Sequence, residues 1–184
     1  MEKLSQFLYR ISRGWVTLAA LGIFIVFSVL TLPGQNAIAE SYSQNSGSPD
    51  TSLFYSGSEL YRMAELYGPE GRAAYLRARW TFDLAFPLVY TFFLVTSISW
   101  LLNRMLPQDS RWRVLNLVPV AAMVLDFLEN TATSLVMARY PVQCPPGELL
   151  APLFTPLKWL FVGGSFLILL AAVIVLLFNK IVRR

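Results

Sequence analysis

The sequence predicts an all-α membrane protein: four transmembrane helices, with extra helices at the N-terminus and on the outer side. Three observations carry that prediction. The 184-residue chain is 55% hydrophobic and only 14% charged, with a mean hydropathy of +0.52. Soluble chains carry roughly 25% charged residues. Four apolar runs approach the ~20 residues that a helix needs to cross a ~30 Å hydrocarbon core. Tryptophans 15, 80, 100, 112 and 159 fall near the ends of those runs, as interfacial anchors do.

Leu4, Phe7, Leu8 and Ile11 recur at helical spacing, so the first eleven residues predict a short amphipathic helix in the headgroup region. Trp15 to Leu32 is free of charge and closes at Pro33, which gives the first span. The basic start and Ala37-Ile38-Ala39 resemble a secretory signal. The apolar run is longer than the 7–15 residues of an h-region and the cleavage point lies late, so a retained span is the reading. Residues 33–79 form an external loop. Within it Glu40 to Gly57 is polar and irregular, and Ser56-x-x-Glu59 is a capping box that opens a helix ended by Gly68-Pro69. The chain then restarts as a helix that runs into the second span, 80–102, which Pro87 should kink. The third span is 114–138. Arg139 to Thr155 holds four prolines and predicts a stiff external loop with room for one re-entrant or in-plane piece. The fourth span is 159–178, where Gly163-Gly164 suggests a close helix contact. Together they form one domain, 1–184.

Nine basic residues lie on the side holding both termini, against two acids there. The other side carries six basic residues and six acids. The bias puts both termini in the cytoplasm of an inner (plasma) membrane.

The feature that asks for a function lies within the third span. Asp126, Glu129, Asn130 and Thr133 stand at i, i+3, i+4 and i+7 and share one face. Ionisable groups inside a span are costly, and mark functional sites by default. Asp83 and Tyr90 share a face of the second span, with Arg72 and Arg79 near the same line. At 1.5 Å per residue Asp83 lies about 5 Å below the outer face, Glu129 about 13 Å and Asp126 about 18 Å. If the two helices are neighbours, these groups line one outward-opening pocket with the arginines at its rim. Its charge can be settled by a retained proton, by Arg79 pairing with Asp83, or by a cation against walls such as Tyr90, Phe86 and Phe127. The plainer alternative is that the polar groups only bond neighbouring helices.

The chain has no histidine and one cysteine, Cys144, which removes imidazole ligands, thiolate cages and an internal disulfide. It also lacks a phosphate-binding glycine loop and any Ser/His pair. No cofactor, metal or nucleic acid is expected.

The runs Gly68-Pro-Glu-Gly-Arg72-x-x-Tyr75, Asp83-x-x-Phe86-Pro87-x-x-Tyr90 and Asp126-x-x-Glu129-Asn130 resemble those of a group of small four-span bacterial membrane proteins. That likeness covers roughly 55–135 and brings no activity with it. Span count and buried acids near a Pro-aromatic segment are also similar to the EXPERA group, which includes sterol isomerases and sigma-2-like ligand binders. Those isomerases use a membrane histidine that this chain lacks, so no catalytic residue carries over. The expected function is non-enzymatic binding of a lipidic or cationic small molecule. The alternatives are an accessory subunit of a larger membrane complex and a lipid or sterol isomerase.

Overall fold

The computed structural model describes residues 2–43 and 47–182, which form helices and their connections. In chain order these are α1 (Glu2–Ile11), α2 (Gly14–Ser43), α3 (Gly57–Arg79), α4 (Phe82–Met105), a 3₁₀ segment (Arg111–Leu117), α5 (Val118–Arg139) and α6 (Pro145–Val182). Four helical stretches are long and apolar enough to cross a membrane: 14–43, 57–105, 111–139 and 145–182.

Several boundaries differ from the sequence expectation. α2 does not stop at Pro33 but runs on to Ser43, so residues 40–43 are helix. Proline removes one intrahelical bond and leaves the rest of the ladder intact. The predicted loop 139–155 shrinks to a short connection, because α6 starts at Pro145. Pro145 and Pro146 occupy the first turn, where the missing N–H groups have no helical partner anyway. Pro152 and Pro156 lie inside the helix, which continues through them. Between them the Thr155 hydroxyl donates to the Ala151 carbonyl at 3.1 Å. The third span opens as 3₁₀ helix over 111–117 and becomes α-helix at Val118, with Pro119 in the first turn of α5.

The capping box is present: the Glu59 amide donates to Ser56 Oγ, and Glu59 Oε2 accepts from the Ser56 amide at 2.7 Å. α3 is two helical pieces joined at Gly68, whose φ of 63° suits glycine. Trp80 and Thr81 then break the chain before α4. The close helix contact is also elsewhere than expected. A Cβ on Gly163 or Gly164 would meet nothing within 4 Å, whereas one on Gly147 would sit 2.7 Å from the Ala132 carbonyl oxygen. Gly147 therefore sets how near α6 comes to α5, its most extensive partner.

Two apolar cores stack along the bundle. The outer one joins the end of α2, α3, the end of α5 and the start of α6, around Leu60, Tyr67, Tyr75 and Met137. The inner one joins the rest of α2 with α4, the start of α5 and the body of α6, around Leu94, Ile98 and Ala122. α2, α5 and α6 contribute to both cores, whereas α3 belongs to the first and α4 to the second. On α5 the change falls between Ala122 and Ala132, and on α6 between Phe154 and Phe161. The buried charges lie at that junction.

Candidate functional site

The side chains of the junction come from α3, α4, α5, α6 and the connection between α2 and α3. Arg79 ends α3 and Asp83 opens α4, one helical turn on. Their side chains pair at 3.1 Å, and Arg79 also pairs with Asp50 from the connection between α2 and α3. Lys158, in the middle of α6, pairs with Glu129 and lies 3.7 Å from Asp126 and 3.6 Å from Asp50. Glu129 is fully buried, and Arg79 and Lys158 nearly so. Hydrogen bonds complete the layer. Tyr90 donates to Asp126 Oδ2 at 3.1 Å, and Thr155 donates to Glu129 Oε1 at 2.7 Å. The Tyr55 and Thr155 hydroxyls lie 2.9 Å apart. Asn130 accepts from Arg79 Nη1 and donates to the Asp83 carbonyl, both at 3.4 Å.

The α4 and α5 groups singled out in the sequence, Asp83, Tyr90, Asp126, Glu129 and Asn130, thus come together with Arg79. Thr133 is buried on the same face and turns its hydroxyl back on the Glu129 carbonyl at 2.9 Å. Arg72 is elsewhere. It donates to the Ala64 carbonyl at 2.7 Å and stacks 4.6 Å over the Tyr140 ring, because it lies two helical turns, about 10.5 Å, back along α3 from Arg79. Asp50, Thr155 and Lys158 belong to the layer without having been expected there. Lys158 sits one residue before the apolar run of the fourth span and reads as a flanking charge. Asp50 lies in a polar stretch with no periodicity. A lone cation one turn or less outside an apolar run, opposite acids on a neighbouring span, is the signal that points to it.

Four carboxylates, Asp50, Asp83, Asp126 and Glu129, face two cations, Arg79 and Lys158. With all six groups ionised the layer carries two negative charges more than positive ones. Burial alone would raise the Asp50 carboxyl, but Arg79, then Lys158, outweigh it and hold it below the usual carboxylate range. Asp50 also closes the layer from outside, since its carbonyl accepts from Trp159 Nε1 at 2.7 Å.

Beside this layer lies a cavity of about 340 Å³. Asp50, Arg79, Asp83, Asp126, Lys158 and Tyr90 form its polar side. Phe24 and Leu32 from α2, Phe82 and Phe86 from α4, and Val162 and Phe166 from α6 form the apolar side. Phe86 and Tyr90 are walls as expected; Phe127 does not line it. Phe82, Phe86 and Phe27 stack on one another, with centroids 5.3 to 6.2 Å apart. Among the described residues α2 and α6 each pack on α4 and hardly on each other, so the cavity occupies the gap between them.

The fold and this site define an all-helical protein with four helices able to cross a membrane and a charged layer beside a half-apolar cavity. No family model, curated protein or solved structure matches the chain.

Proposed function

We propose that this protein is a four-span membrane receptor or carrier for a cationic amphiphile, whose amine head sits against the charged layer and whose body faces the lipid between α2 and α6. The observation that carries the reading is the placement of four carboxylates against two cations beside apolar walls. Buried charges persist where they are paired, and a cationic head would supply the positive charge that Arg79 and Lys158 leave short. Phe82, Phe86 and Tyr90 offer ring faces to an ammonium group. A cavity of this volume is at the lower end of the range for small-molecule sites. Ligand entry from the bilayer follows from the gap between α2 and α6.

In this reading both termini are cytoplasmic, in line with the excess of basic residues near them. The protein resides in the plasma membrane, and the charged layer lies towards its outer face. Membrane lipids are then both solvent and source of the ligand. The resemblance to four-span EXPERA proteins agrees with a binding role and lends no catalytic residue.

The test is titration of the purified protein in detergent with dodecylamine, with dodecanol as the neutral control, followed by calorimetry. The amine should bind and the alcohol should not compete. Asp126→Asn and Glu129→Gln should each weaken amine binding by about tenfold or more, a change of roughly 1.4 kcal/mol. Unchanged affinity in variants that keep their melting temperature would sink the proposal.

A further inference from the structure

A second, more open cavity of about 250 Å³ lies further along the bundle, lined by Thr17 and Leu21 of α2, Phe93, Ser97, Trp100 and Leu101 of α4, and Leu169 and Val173 of α6. It uses the same three helices as the first cavity, in the same order, one or two turns further along each. On α2 the lining passes from Leu32 and Phe24 to Leu21 and Thr17. On α6 it passes from Val162 and Phe166 to Leu169 and Val173. The rings of Phe24 and Phe93, one lining each cavity, are stacked with centroids 5.0 Å apart and stand between the two. The second cavity offers no charged side chain: its polar groups are the Thr17 and Ser97 hydroxyls and the Trp100 indole N–H, and the Thr17 hydroxyl already lies 3.2 and 3.3 Å from the Arg13 and Thr96 carbonyls.

We infer that the two cavities are one binding site for a long-chain amphiphile, with the head at the charged layer and a single hydrocarbon chain threaded between α2 and α6 past Phe24 into the second cavity. This rests on the amine-head reading above and adds to it the class of ligand. From Asp83 to Ser97 along α4 the track is about 21 Å at 1.5 Å per residue. One leaflet of a bilayer core is about 15 Å deep, so a chain as long as a membrane lipid's passes Phe24 and covers most of the track, whereas a short alkyl group ends at Phe24. The second cavity is mostly apolar and offers a hydrocarbon tail contacts that a second polar group would not find. Phe24 is the movable element: it projects from α2, which hardly touches α6, and swinging its ring off Phe93 joins the two spaces.

The experiment is native mass spectrometry of the whole protein, released from detergent after equilibration with an equimolar mixture of octylamine, dodecylamine and hexadecylamine. Burial of each methylene is worth about fourfold in affinity, so the wild-type protein should carry hexadecylamine far in excess of octylamine. Ser97→Phe from α4 and, independently, Val173→Phe from α6 fill the second cavity, and each should erase that excess while octylamine still binds. Phe24→Ala should leave the long-chain excess in place or raise it. Two cavity fillers on different helices guard against one that fails to fold. Amine adducts whose long-chain excess in both fillers equals that of the wild type overturn the tail site and leave the head reading standing. Adducts absent from every protein overturn both.

Discussion

Lys158→Met is the most demanding test of the charged layer. Among the described residues Lys158 is the one cation paired with Glu129, and it also lies 3.6 Å from Asp50 and 3.7 Å from Asp126. At 3.7 Å a single pair is worth about 4 kcal/mol at an effective dielectric of 20, but the cost of desolvating both partners offsets much of it. The larger effect comes from what the substitution leaves behind. Glu129 has no exposed surface and keeps only the Thr155 hydroxyl. Removing one partner of a buried pair costs about 3–5 kcal/mol. For a chain of this size each kcal/mol moves the melting temperature by about 2–4 °C, which gives a fall of roughly 6–20 °C. Intrinsic tryptophan fluorescence in detergent reads the transition. Glu129→Gln in the Lys158→Met background should recover most of the loss, because a neutral amide facing a thioether leaves no charge unpaired. A fall of less than about 2 °C for Lys158→Met, or no recovery in the double variant, would refute the pairing as the source of stability.

Asp50 is held ionised by Arg79 and Lys158. A carboxyl whose pKa is depressed by folding stabilises above its unfolded value of about 3.9 and loses that contribution as pH falls through the folded value. Melting temperature measured from pH 6 downward should therefore drop steeply below about pH 4 in the wild type, and less so in Asp50→Asn. Gly147→Ala places a methyl group against Ala132 and Val136 and should cost about 1–3 kcal/mol by overpacking. Gly163→Ala and Gly164→Ala meet open space and should melt like the wild type. For topology, single cysteines at Asp109 and Arg62 in a Cys144→Ala background should differ in whole cells. A membrane-impermeant maleimide should label position 62 and leave position 109 unlabelled, and the reverse pattern would turn the orientation over.

The class of the protein was legible in the sequence, since apolar length and scarcity of charge report directly on the solvent around a helix. So was one face of the site. Asp126, Glu129 and Asn130 share a stripe through the helical period, and Asp83 and Tyr90 share another. Those periods are local, and a local rule needs no knowledge of the fold. Helix ends within proline-rich stretches were less legible, because a proline in the first turn and a proline in a loop look alike until the ladder around them is known. That is why α6 reaches back to Pro145 and carries Lys158 into the interior. Which helices face each other was decided by tertiary packing alone. Gly147 lets α6 approach α5, and this brings Lys158 level with Glu129 and Asp126. Two turns of α3 separate Arg72, which stacks on Tyr140, from Arg79, which meets Asp83. Asp50 joins them across a connection with no period to read. Sequence spacing determines which side chains share a helix face; only the folded chain determines what each face meets.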